Sequence, residues 1–198
     1  MISDFKIHDL FSIPLMKCTV KLPHDEISEY VREQLRKHGN YTSYFDNEYN
    51  HRMQSMLPWR DAMEKTMRFA AKSFLKKMEI DPRDCPDILN YWFSSYNGGD
   101  DHVLHSHPFA VVAGTYYSYA DQDSTKIQYR NPNATVLSHS EPGDRYKFLY
   151  HTHYPTTGEM NLWPAWLEHQ VRPQQEVNPE RSRIAISFNY GTYKNKEQ

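Results

Sequence analysis

The stretch His102-Val103-Leu104-His105-Ser106-His107-Pro108 holds three of the chain's 11 histidines, directly ahead of the β-rich run from Phe109 to Tyr119. On a strand, residues two apart project to the same face, so His105 and His107 present two imidazoles to one metal ion. Ser106 then points away, and His102 is out of phase. A third imidazole comes from His169, on the aromatic-flanked strand Leu162-Trp163-Pro164-Ala165-Trp166-Leu167-Glu168-His169-Gln170-Val171. Its neighbour Glu168 should face the opposite way and make a poor ligand. Imidazoles gathered in this manner suit a divalent transition metal with coordination positions left open. The competing reading of any H-x-H is a pair of surface or hydrogen-bonded histidines. His139, His151 and His153 have no distal partner and are read as structural.

Arg181-Ser182-Arg183-Ile184-Ala185-Ile186-Ser187-Phe188-Asn189 alternates as a strand, with Arg183, Ala185, Ser187 and Asn189 on one face and Ile184, Ile186 and Phe188 on the other. If the first face lines a barrel, the Arg183 guanidinium sits in a partly closed cavity and calls for an anion, because a buried charge needs a partner. A dicarboxylate would satisfy it bidentately. The competing reading is a surface arginine paired with an acid. Trp163 and Trp166 read as cavity wall or packing rather than as a substrate platform.

The elements that must position these residues fall into two halves. After Pro23, Ile27, Tyr30, Val31 and Leu35 form a helical stripe over residues 25 to 38. A longer stripe, Trp59, Met63, Met67, Ala70, Phe74 and Met78, predicts a helix from Pro58 to Met78 whose Met and aromatic residues are a core face rather than a cofactor box. Beyond residue 87, short Tyr, Val, Ile and Phe runs between Gly, Pro, Asn and Asp clusters predict strands at 88–96, 103–107, 110–119, 125–130, 146–153, 159–163, 167–172 and 182–190. Eight short strands suit a mainly β fold with flanking α: a double-stranded β-helix, or jelly roll, with the helices packed outside. The strand order in such a fold can bring His169 beside the H-x-H.

At 198 residues, a single domain is expected, with residues 1–86 as a helical support, 87–191 as the jelly-roll core and 192–198 as a solvated tail. The formal charge of −2 and a pI near 6.6 argue against nucleic-acid or anionic-membrane partners. Only 38% of residues are hydrophobic and mean hydropathy is −0.85, yet 15 Tyr, 9 Phe and 4 Trp supply the area for an aromatic-rich core. Cys18 and Cys85 fit neither a disulfide scaffold nor a zinc knuckle, and together with the lack of a signal or spanning segment they point to a reducing, cytoplasmic setting.

The chain resembles the 2-oxoglutarate and Fe(II)-dependent oxygenases of the double-stranded β-helix type common in marine bacteria and their phages. The resemblance rests on His105-Ser106-His107-Pro108, Ala113-Gly114-Thr115-Tyr116-Tyr117, Ile127-Gln128-Tyr129-Arg130-Asn131-Pro132, Trp163 to Val171 and Arg183 to Tyr190, and so spans roughly residues 90 to 191. It implies His105 and His169 as iron ligands and Arg183 as the cosubstrate arginine. The wider superfamily has a carboxylate where this chain has His107, so the middle ligand is either His107 or an acid from elsewhere, such as Asp100, Asp101 or Glu159. On a strand that continues through Pro108, Tyr117 shares the phase of His105 and His107 and offers its hydroxyl to the far carboxylate of 2-oxoglutarate, with Ser187 on the Arg183 face. If Pro108 breaks the phase, Tyr116 takes that place, and the competing reading of either tyrosine is a core residue. The expected reaction converts 2-oxoglutarate and O2 to succinate and carbon dioxide while hydroxylating a C–H bond of a small molecule or protein side chain, in the host cytoplasm for a phage protein. Homodimerisation stays open. Two alternatives remain at this point: a three-histidine cupin-like metalloenzyme that does not use 2-oxoglutarate, and a catalytically silent jelly-roll binding module.

Overall fold

The computed structural model describes residues 12–97, 99–120, 126–133, 149–173 and 183–192. His139 and residues 193–198 of the expected tail lie outside them.

Helix α1 (His24–His38) carries Asp25 and Glu26 in its first turn and Arg36, Lys37 and His38 in its last, each sign matching the helix dipole. It ends at Gly39, whose left-handed backbone lets its N–H donate to the Leu35 carbonyl. Ile27, Val31 and Leu35 recur four apart and are buried. A helix absent from the sequence reading, α2 (Asn47–Met56), starts where Asp46 accepts from the Tyr49 N–H. Helix α3 (Arg60–Lys77) buries Met63, Met67, Ala70, Ala71, Phe74 and Leu75, the core face its periodicity predicts.

Nine strands follow from the described residues: β1 (Met16–Thr19), β2 (Leu89–Tyr96), β3 (His102–His105), β4 (Val112–Tyr119), β5 (Ile127–Arg130), β6 (Tyr150–His153), β7 (Glu159–Pro164), β8 (His169–Val171) and β9 (Arg183–Tyr190). They form two antiparallel sheets, β1-β7-β4-β9-β2 and β3-β8-β5-β6. The mainly β jelly roll with outer helices is therefore the observed architecture, with β1 as an unexpected edge strand. In β9, Ile184, Ile186 and Phe188 join one core with α1 and α3 residues, while Arg183 and Ala185 face the smaller sheet. Helices on one side and a second sheet on the other leave nearly all of β9 buried, so its alternation separates two interiors rather than inside from outside.

The expected strand 103–107 is shorter than its sequence suggests. It ends at His105, and the chain turns at Pro108, where the Ala110 N–H donates to the His107 carbonyl, before β4 opens in the other sheet. Proline has no N–H for the ladder, which accounts for the break. Among the described residues no helix is long and apolar enough to cross a membrane.

Candidate metal and cosubstrate site

His105 closes β3 and His169 opens β8, and the two are direct cross-strand partners. His107 lies just past the end of β3, fixed by its own N–H, which donates to the Ala165 carbonyl at 2.8 Å. The shared-face argument from period two therefore does not describe His107. A turn rather than a continuing strand delivers its ring, and the three imidazoles still converge. Their candidate ligand atoms all lie within 4.8 Å of one another, with His107 Nε2 3.3 Å from His169 Nε2. Ligand nitrogens about 2.1 Å from a metal ion stand roughly 3 Å apart, so small side-chain adjustments complete the site.

Backbone carbonyls orient the rings. Nδ1 of His105 is 2.8 Å from the Val103 carbonyl and Nδ1 of His169 is 2.9 Å from that of Leu167, so each Nδ1–H donates backwards and leaves Nε2 to face the cavity. The Asn189 side chain is in hydrogen-bond reach of His107, whose ring also stacks on Trp92. Trp163 meets His169 edge-on. Burial, reinforced by the neighbouring imidazoles, pushes His107 down to about 4 and His169 well below the ordinary histidine value; burial also lowers His105. All three rings are thus neutral near pH 7, the form that binds a metal. Among the described residues they are the one cluster of three or more His, Cys, Asp or Glu side chains positioned to hold an ion.

None of the acids weighed as a replacement ligand, Asp100, Asp101 and Glu159, belongs to the cluster. Glu159 accepts from His153 and Thr156 and Asp100 accepts from the Asn97 N–H, while Glu168, expected to face away, pairs with Arg130. His153 also contacts Lys17, and His151 stands apart from the metal cluster. His102, set aside by phase, lines the same cavity with its ring 4.4 Å from His105, because the β3–β8 register shifts between them.

The cavity beyond the imidazoles carries Arg183. Its side chain is buried, and its guanidinium lies 4.4 Å over the Tyr96 ring and 5.5 Å from that of Tyr117. Tyr117 lines the cavity although β4 is not in phase with β3: it belongs to the facing sheet and points across. Tyr116 points out to the helices, where its hydroxyl meets His24 Nδ1 at 2.5 Å. The buried Tyr117 hydroxyl makes no well-formed hydrogen bond, though the Asn161 amide lies beside it. Ser187 Oγ is 3.2 Å from Thr115 Oγ1, and both residues line the cavity. Sequence reasoning missed Trp92, Tyr96, Thr115 and Asn161; β2, β4 and β7 carry no spacing that marks them. Trp163 forms the expected wall, whereas Trp166 is 49% exposed on a turn and packs into neither core.

A two-sheeted jelly roll with neutral imidazoles gathered between its sheets defines a metalloenzyme of the double-stranded β-helix class. The family model described as "Putative 2OG-Fe(II) oxygenase" matches residues 90–189, and the chain belongs to this family. It is a 2-oxoglutarate and Fe(II)-dependent oxygenase, with Fe(II) as cofactor and 2-oxoglutarate as cosubstrate. Membership sets aside the cupin-like and silent-module alternatives. The all-imidazole donor set fits iron, since imidazole is a suitable ligand for it. No curated protein matches the chain. Among solved structures, the fold is similar to a Pseudomonas putida prolyl-4-hydroxylase (TM-score 0.62, 12% identity, covering 92% of this chain and 95% of that one). It is also similar to the nogalamycin carbocyclase SnoK, described as non-heme and alpha-ketoglutarate dependent (0.58, 9%, 94% and 84%). A third similar structure is HygX from Streptomyces hygroscopicus with nickel and 2-oxoglutarate bound (0.55, 11%, 91% and 82%).

Proposed function

We propose that the chain is a hydroxylase in which His105, His107 and His169 hold Fe(II) while Arg183, Tyr117 and Ser187 hold 2-oxoglutarate. The observation that carries this reading is the convergence on one cavity of three neutral imidazoles and a buried guanidinium from the facing sheet. When bound, iron would activate O2, which supplies the oxidising power: one oxygen atom would enter succinate as the keto acid is oxidised and loses carbon dioxide, and the other would enter a substrate C–H bond as a hydroxyl. The protein positions the reactants and excludes water.

Arg183 pairs bidentately with the far carboxylate of 2-oxoglutarate, its plane held by the Tyr96 and Tyr117 rings. The Tyr117 hydroxyl donates to the same carboxylate; burial pushes its pKa up to about 12, so it remains a donor at any working pH. Ser187 adds a second hydroxyl. Trp92 and Trp163 flank the imidazoles and keep bulk water from the reacting end. The substrate is a small molecule or a protein side chain, and the free thiols of Cys18 and Cys85 suit a reducing cytoplasm.

Variants test the separate roles. His169→Ala should lose iron, whereas Arg183→Lys should keep iron and raise the 2-oxoglutarate concentration for half-maximal succinate release at least about tenfold, since the point charge loses the bidentate geometry. Equal iron loss in both variants would contradict the assignment.

A further inference from the structure

Arg130-Asn131-Pro132 and Trp166-Leu167-Glu168 take no part in the metal or cosubstrate chemistry, yet these two segments meet to line a second pocket. It lies at the metal end of the smaller sheet, where β5 ends at Arg130 and β8 begins at His169, with Tyr129 opposite His169. Leu167 belongs to this pocket, and its carbonyl accepts from His169 Nδ1. Glu168, which also lines the pocket, is the residue directly before His169, so the two sites are adjacent along the chain.

Its walls are built rather than draped. Residues 164–167 form a turn closed by the Leu167 N–H donating to the Pro164 carbonyl at 2.9 Å. The Ala165 N–H donates to Val111, and the His107 N–H donates to the Ala165 carbonyl, so the turn is tied to both neighbouring segments. Trp166, third in the turn, therefore presents its half-exposed indole from a fixed backbone. Arg130 Nη1 and Glu168 Oε2, which line the same pocket, pair at 3.0 Å, with 36% and 45% of the side chains exposed. An apolar indole thus shares the pocket with a planar donor and a planar acceptor that neutralise each other.

We propose that this pocket binds a neutral pyranose ring, as a saccharide unit of the substrate or of the molecule that carries it. A pyranose offers one face of C–H groups to an indole, and vicinal hydroxyls that each donate and accept; Glu168 accepts and Arg130 donates at one edge. An extended peptide suits the site less well, because it would need free backbone groups. The Arg130 N–H is already donated to the Glu168 carbonyl, that of Asn131 to Leu149 and that of Leu167 to Pro164. A nucleotide suits it less well too, since Arg130 is the one cation among the six lining residues and is paired with Glu168.

The test is saturation-transfer NMR on the full chain with glucose, galactose, mannose and N-acetylglucosamine, alongside a proline-rich peptide and AMP. At least one sugar should receive saturation at its ring C–H protons and bind with a Kd of about 1 mM. Trp166→Ala should abolish the signal, and Glu168→Gln should weaken binding about tenfold, the loss expected for a hydrogen bond to a charged group. Binding of 2-oxoglutarate to the iron-loaded Trp166→Ala protein, followed by visible absorption, should be unchanged. The sugar measurement needs neither iron nor cosubstrate, so its failure and failure of the oxygenase chemistry are read separately. No transfer to any sugar, undiminished transfer in Trp166→Ala, or binding of the peptide or AMP in place of sugar would overturn the proposal.

Discussion

At the residue scale, the site is governed by burial of groups that would otherwise be charged or hydrogen-bonded to water. Burial first, then the neighbouring His105, takes His102 to about 4 from an ordinary 6.5, and His107 behaves alike. The unfolded chain therefore protonates first as the pH falls. Stability contributed by the neutral rings is complete above about 6.5 and is lost on descent towards about 4. The melting temperature of the metal-free protein should drop across that window, and His102→Gln should flatten the drop; an unaltered profile would mean that the rings are better solvated than their burial indicates. Tyr117→Phe should leave stability unchanged or slightly higher, since the hydroxyl lacks a well-formed partner, yet weaken 2-oxoglutarate binding about tenfold. Calorimetric titration and thermal melting of the same variant check both halves. His105, His107, His169 and Arg183 stood out in the sequence because each is a chemistry-bearing type in a strand-like segment, and the structure brings all four to one cavity, His107 by a turn rather than by the strand period. Trp92 and Tyr96 were not, because aromatic residues on a buried strand look alike whether they line a cavity or fill a core.

At the element scale, the long helix α3 and the core strands were readable from periodicity, and the misses have physical causes. Helix α2, Asn-Glu-Tyr-Asn-His-Arg-Met-Gln-Ser-Met, buries only Tyr49, Asn50 and Met53, too few apolar positions to show a stripe. Strand β1 has four residues and gains its partner only from β7, far along the chain. The H-x-H strand, expected over 103–107, spans His102–His105, because the chain leaves the ladder ahead of Pro108 rather than at it. The centre of β4 offers a direct test of sheet packing. Gly114 pairs with Leu162 on one side and Phe188 on the other, and a Cβ there would overlap the Phe188 ring. Gly114→Ala should cost about 1–3 kcal/mol in urea unfolding, the usual range for overpacking a core. A change within about 0.5 kcal/mol would show that Phe188 has room to move.

At the scale of the whole molecule, the helices and the larger sheet share one hydrophobic core. Ile27, Val31, Met63, Met67 and Phe74 from the helical half pack in the same cluster as Phe93, Tyr116, Ile184, Ile186 and Phe188. Jelly roll and support should therefore unfold together: a fragment of residues 87–198 should show no cooperative melting, whereas the full chain melts in one transition. A folded, cooperative fragment would make the helical half a separate unit. The shared core also holds β4 and β9 in register, which sets Tyr117 and Arg183 across the cavity from the imidazoles. The central claim is that this one cavity holds iron and 2-oxoglutarate side by side, and the most direct measurement is an anaerobic titration of the iron-loaded protein with 2-oxoglutarate. The account predicts a visible charge-transfer band that grows to saturation at one cosubstrate per iron and is lost in His169→Ala. Bound iron with no band at saturating 2-oxoglutarate, or a protein that takes up no iron, would contradict it.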